Sequence, residues 1–261
     1  MTKRELEQAA VLLLRKNNFS AGLLAESETP TPDVFATDAA GQIYVLEIKD
    51  RTVPWLEYAE PVSAHIGTGV RLRTDPTGHS NTISRVIKKG VEQLESGPRS
   101  DDILRLLWFF ANPTDRDYHY ERIRHTVYGM KIVVATREGQ PASREGIYVA
   151  PAAFVRWRNT VDGVLLGTFG ALLLNDLSPR YGLLKISQLA QQCGESVVDP
   201  QVLAESGECY YLPPDESSPT VQSATSRLEL IYHIKVGELT NLHRFSAADL
   251  KGTPTKDATE A

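Results

Sequence analysis

Apolar residues recur at helical spacing near the start of the chain. Leu6, Ala9, Ala10, Leu13 and Leu14 predict an amphipathic helix over 3–18, with Thr2 as its N-cap and Asn17-Asn18 as its end. A short strand is expected over 22–25. Two β-rich runs follow, 33–37 and 42–49, around the turn-like Asp38-Ala39-Ala40-Gly41, and together they predict an antiparallel hairpin. Residues 51–80 show no period and contain Pro54, Pro61, Gly67, Gly69, Pro76 and Gly78, so they read as a long loop. Asn81 or Thr82 then caps a helix reaching Leu94, with Ile83, Val86, Ile87, Val91 and Leu94 on its apolar face. A buried strand over 103–111, a helix over 115–128 and a β-branched strand over 131–136 complete the clear pattern.

That order predicts an α/β (α+β) fold, a mixed central sheet flanked by helices, over 1–140. Residues 141–261 are expected to form a C-terminal extension whose role the pattern does not assign. Within it the signals are a short helix over 152–158, an apolar run over 164–174 broken by Gly167 and Gly170, a helix over 186–193, a loop over 212–220, a strand over 228–236 and a disordered tail from about 252.

Hydrophobic residues make up 41% and charged residues 23% of the 261, which excludes disorder over the whole chain. The net charge of -5 argues against wrapping nucleic acid over the entire surface, but it allows a local basic face. Arg85, Lys88 and Lys89 form such a face on the helix after the long loop; it is either a solvated surface or one that meets phosphates. The two cysteines, Cys193 and Cys209, lack partners at zinc-ligand spacing and are expected to be reduced structural thiols. Charges crowd the first apolar stretch and no run approaches 18 apolar residues, so neither a signal peptide nor a membrane span is expected, and a cytoplasmic location is the expectation.

The hairpin carries the chemistry. With its turn at 38–41, antiparallel pairing sets Thr37 against Ile43 or its neighbour and brings Asp33 opposite Glu47. Lys49, two residues on, shares a face with Glu47, while Val34, Tyr44, Leu46 and Ile48 supply the apolar face. Two facing carboxylates repel unless a cation lies between them, and oxygen ligands at this spacing suit Mg²⁺ or Mn²⁺. An ammonium beside such an ion suits phosphodiester hydrolysis. Asp38 is the rival first acid, but a turn aspartate has a local hydrogen-bonding role. His65 and His79, in the long loop, are weaker candidates for touching substrate.

Pro32-Asp33, the hairpin and Glu47-Ile48-Lys49 resemble the motif of the PD-(D/E)xK nuclease superfamily, which includes restriction-endonuclease-like and Holliday-junction-resolvase-like members. The resemblance covers roughly the first half of the chain. It implies Asp33 and Glu47 as metal ligands and Lys49 as the catalytic ammonium. It also implies Glu7, three residues before the small Ala10 in the first helix, as an extra metal ligand. Asn18-Phe19 stands where members carry a Gly-aromatic pair. Gln93 matches the polar residue that the following helix often contributes to catalysis. The function implied is a Mg²⁺- or Mn²⁺-dependent nuclease, a DNA endonuclease of restriction, phage defence or repair, compatible with a homodimer. The alternatives are an inactive module of the same fold that binds nucleic acid or a protein, and an RNA-cleaving member.

Overall fold

The computed structural model describes residues 2–25, 31–51, 63–65, 70–76, 78–98, 100–111, 116–214, 219–241 and 243–249, of which 51, 63–65, 70–76 and 243–249 as backbone only. The chain opens with helix α1 (Lys3–Lys16). Its start is fixed by a capping box: Thr2 Oγ1 accepts from the Glu5 N–H and Glu5 Oε2 accepts from the Thr2 N–H. Its end is fixed by Asn18, whose φ of 65° is tolerated by Asn as well as Gly, and by the Phe19 N–H donating back to the Leu14 carbonyl.

Strands β1 (Ser20–Leu23), β2 (Val34–Thr37) and β3 (Ile43–Arg51) form an antiparallel meander with Thr37 opposite Ile43 and Val34 opposite Leu46, the register expected. The turn between β2 and β3 closes on Gly41 at φ 84° and on Asp38, whose Oδ1 accepts from the N–H groups of Ala40 and Gln42. Short strands β4 (Ser63–His65) and β5 (Val70–Pro76) pair within the segment expected to be a loop. Periodicity missed them because β5 finds its other partner far along the chain, in β14. Helix α2 (Asn81–Ser96) begins one or two residues earlier than expected, because Ser80, rather than Asn81 or Thr82, is the cap that accepts from the Ile83 N–H. Then come β6 (Ile103–Ala111), α3 (Arg116–Tyr128), β7 (Lys131–Arg137), β8 (Gln140–Ile147), α4 (Ala153–Arg156), β9 (Gly163–Leu166), β10 (Ala171–Leu174), α5 (Tyr181–Lys185), α6 (Gln188–Cys193), β11 (Val197–Val198), α7 (Pro200–Glu205), β12 (Cys209–Tyr211), α8 (Val221–Tyr232), β13 (Lys235–Thr240) and β14 (His243–Asp249).

The class is mixed α/β, as expected. A seven-stranded mixed sheet has the order β1-β2-β3-β6-β9-β10-β11, and a four-stranded sheet the order β12-β8-β7-β13. Strand β6 runs parallel to both β3 and β9 and is buried on both faces, as its sequence ILRLLWFFA requires. One face of the large sheet packs Val45, Leu107 and Phe109 against Ile87, Val91 and Leu94 of α2 and Ile123 and Val127 of α3. The other packs Tyr44, Leu46, Ile48 and Trp108 against Leu6, Ala10 and Leu14 of α1 and Leu184 and Leu189 of α5 and α6.

The large sheet does not stop at the boundary expected near residue 140, since β9, β10 and β11 extend it. The break that Gly167 and Gly170 make in the apolar run is the turn from β9 into β10, with Gly167 at φ 59°. The strand expected over 228–236 is instead the end of α8 and the start of β13. A second capping box, Thr220 with Ser223, starts that helix, and Ala224 and Leu228, one turn apart, are buried under it. The tail from 252 lies outside the described residues. Both cysteines are buried and free, as expected, with burial pushing the thiols up to about 12 for Cys193 and about 11 for Cys209. Among the described residues no helix is long and apolar enough to cross a membrane.

Candidate active site

Asp33 lies just before β2, where the regular β2–β3 ladder ends. Its N–H donates to the Leu46 carbonyl, and its Oδ2 accepts from the Ile48 N–H at 2.7 Å, so the carboxylate caps an edge group of β3 that β2 no longer reaches. Glu47 projects from β3 toward α2 and is fully buried. Lys49, on the same face, donates to Glu47 Oε1 at 2.7 Å and to Gln93 Oε1 at 2.7 Å. Gln93 in turn reaches the Thr31 carbonyl with its Nε2 at 3.4 Å. The amide therefore ties the Lys49 ammonium to the segment that delivers Asp33.

Glu47 is the electrostatic focus. Burial pushes its carboxyl up to about 8, Lys49 pulls against that shift, and the Asp33 charge adds to it. Its second oxygen, Oε2, is buried with no hydrogen-bond partner among the described residues. An orphaned acceptor of this kind costs about 1–3 kcal/mol, more when charged. A ligand that supplies positive charge at Oε2 would remove that cost.

Glu7 approaches the same place from α1. Burial and then the Asp33 charge raise its carboxyl above the ordinary range, and Lys3 sits 3.3 Å from its Oε1. Lys3 also holds Asp33 Oδ1 at 2.9 Å. Glu7, Asp33, Glu47, Lys49 and Gln93, all singled out from sequence, thus converge at the margin of the large sheet between α1 and α2. Asp38 does not join them: besides its two turn amides it accepts from the Tyr44 hydroxyl at 2.7 Å and is a structural residue. His79 hydrogen-bonds Ser84 and has no described contact with the site, while the side chain of His65 lies outside the description.

The basic face divides in two. Arg85, Lys89 and Gln93 follow one another at i, i+4 spacing and so share the flank of α2 that leads to Lys49. Lys88 lies on the next flank, 3.8 Å from Glu92. All three cations are exposed.

Two members of the site escaped the sequence reading. Lys3 lies in the first helical turn, where a lysine carries no motif. Gly90 had a usable signal, since a glycine inside a helix costs about 1 kcal/mol against alanine and implies a close approach. A Cβ there would lie 2.6 Å from Leu107 Cδ2 and 2.9 Å from Lys49 Cε, so any larger residue would have to push the Leu107 and Lys49 side chains aside.

Among the described residues no three His, Cys, Asp or Glu side chains are gathered tightly enough to cage a metal unaided. The donor set still fits a hard divalent cation, because Mg²⁺ is commonly held by one or two carboxylates with waters and substrate phosphates filling the remaining positions. The orphaned Glu47 oxygen, on a carboxyl that feels the Asp33 charge, is the feature that fits. Comparison with protein-family models, with curated proteins and with solved structures gives no match.

Proposed function

We propose that the protein is a divalent-metal-dependent nuclease of restriction-endonuclease-like architecture, acting on DNA as an endonuclease, with Asp33, Glu47 and Lys49 at its centre. The observation that carries the reading is the buried, partnerless Oε2 of Glu47, on a carboxyl that feels the Asp33 charge and is bonded to a lysine pinned by Gln93. Asp33 and Glu47 would hold Mg²⁺ or Mn²⁺, with Glu7 at the margin. When bound, the cation would polarise a phosphate oxygen and lower the pKa of a coordinated water.

The chain's own groups do the rest. Lys49, held at 2.7 Å by both Glu47 and Gln93, keeps its ammonium in one place, so it can meet charge developing on a phosphate without reorganising. Gln93 is a positioning residue acting through Lys49. Arg85 and Lys89 supply positive charge on the approach to that lysine and suit the backbone phosphates of a nucleic acid. A homodimer and a cytoplasmic location are compatible with this reading.

The test is incubation of the pure protein with plasmid, linear duplex, single-stranded DNA and RNA, with Mg²⁺, Mn²⁺ or EDTA. Cleavage of duplex DNA should require the cation, stop with EDTA and vanish in Asp33→Asn. Lys49→Met should keep Mn²⁺ binding and lose about 10²–10³ in rate, the size of a single electrostatic donor. Cleavage that ignores EDTA, or survives in Asp33→Asn, refutes the reading. Metal binding without cleavage of any substrate favours the inactive module, and cleavage confined to RNA favours the RNA-cleaving member.

A further inference from the structure

Lys3 is placed against the preference of its own helix. It is the first residue of α1, where the positive end of the helix dipole disfavours a cation by roughly 0.3–1 kcal/mol. Its side chain is 58% exposed, so packing does not hold it either. Its ammonium nevertheless lies 2.9 Å from Asp33 Oδ1 and 3.3 Å from Glu7 Oε1. Burial alone would lower the Lys3 pKa, but the contact with Asp33 and the charges of Asp33 and Glu47 outweigh it and hold the ammonium charged.

The two lysines of the site differ in how they are held. Lys49 is 13% exposed and has a neutral anchor in Gln93. Lys3, among the described residues, contacts the acids Glu7 and Asp33 and has no neutral anchor. It is tethered by a flexible four-carbon stem and can return to water at small cost. Its position on Asp33 Oδ1 is one that a second cation would contest, since a divalent ion on the Asp33 and Glu47 carboxylates would repel an ammonium 2.9 Å from the same group.

We infer that Lys3 is a resident counter-ion of this acidic cleft, neutralising Glu7 and Asp33 in the metal-free protein and giving way to the incoming divalent cation, and that it thereby sets the cation affinity of the site. The inference rests on the metal-dependent reading above and adds to it a residue that tunes occupancy. Without Lys3 the empty cleft would gather carboxylates with less compensation, so the cation would gain more on entry.

Calorimetric titration of Mn²⁺ into wild type, Lys3→Met, Lys3→Arg and Asp33→Asn at one pH and ionic strength tests this without any substrate. Lys3→Met should bind Mn²⁺ about three- to tenfold more tightly, the range for loss of a half-exposed ammonium with two charged contacts. Lys3→Arg should stay near wild type, because charge and not shape is at issue. Added salt should narrow the gap between Lys3→Met and wild type. Equal or weaker binding by Lys3→Met overturns the inference. If binding is lost in Asp33→Asn but Lys3→Met matches wild type, the role of Lys3 alone is refuted. If wild type takes up no Mn²⁺, the metal-dependent reading fails and the inference fails with it.

Discussion

Glu47→Gln keeps the shape of a fully buried side chain and removes its charge. The folded protein holds the Glu47 proton up to about 8, whereas the unfolded chain releases it near 4.5. Between those values the folded state carries more protons than the unfolded state, so this group's contribution is fully present below about 4.5 and is lost as pH rises through about 8. At about 1.4 kcal/mol per tenfold change in proton affinity, ionised Glu47 costs the fold about 5 kcal/mol above pH 8. Glutamine has no proton to lose. The stability of Glu47→Gln relative to wild type should therefore rise by about 4 kcal/mol between about pH 5 and about pH 8. Urea unfolding of both proteins across that range, without divalent metal, reads the difference directly. Mn²⁺ at about 100 times its Kd should then return about 2.7 kcal/mol to wild type at pH 8 and much less to the variant. Wild type and Glu47→Gln curves that stay parallel from pH 5 to pH 8 would refute the claim that a buried carboxyl with its proton affinity raised lies at the centre of this site.

Three further outcomes follow from particular contacts. Gly90→Ala should gain helix propensity yet displace the Lys49 stem, lowering cleavage on the order of tenfold to a hundredfold while circular dichroism stays unchanged; wild-type activity would show that the close approach of α2 to Lys49 is unimportant. Replacing Arg85 and Lys89 together should reduce the log–log salt slope of DNA binding by about 1.8, whereas replacing Lys88, on the other flank, should leave it unchanged. Asp162 accepts from the Arg105 N–H at 2.7 Å and from Arg180 Nε at 2.9 Å, so Asp162→Ala strands a buried guanidinium and should cost about 3–5 kcal/mol by urea unfolding; a loss under 1 kcal/mol would make that pair dispensable.

The sequence by itself determined the parts whose physics is local. The capping box of α1, the turn at Asp38 and Gly41 and the alternation in β3 depend on residues within a few positions of one another. They sufficed to fix the β2–β3 register and to place Glu47 and Lys49 on one face. Gln93 was legible only through the resemblance, which implies a polar residue contributed by this helix, and its bond to Lys49 was not legible. The misread elements depended on distant neighbours. The run over 228–236 was apolar enough for a strand, but capping at Thr220 and burial of Ala224 and Leu228 made its first half helical. Strand β5 needed β14, more than 160 residues away, to declare itself. The large sheet runs on past residue 140 because β6 offers its second edge to β9. Only the tertiary structure decided which helix meets which face of the large sheet, and hence that an amide from α2 pins Lys49 while an ammonium from α1 settles on Asp33. Periodicity shows which face of an element is apolar. It does not show what opposes the polar groups at that face's margin, because those partners are chosen by packing across the whole fold.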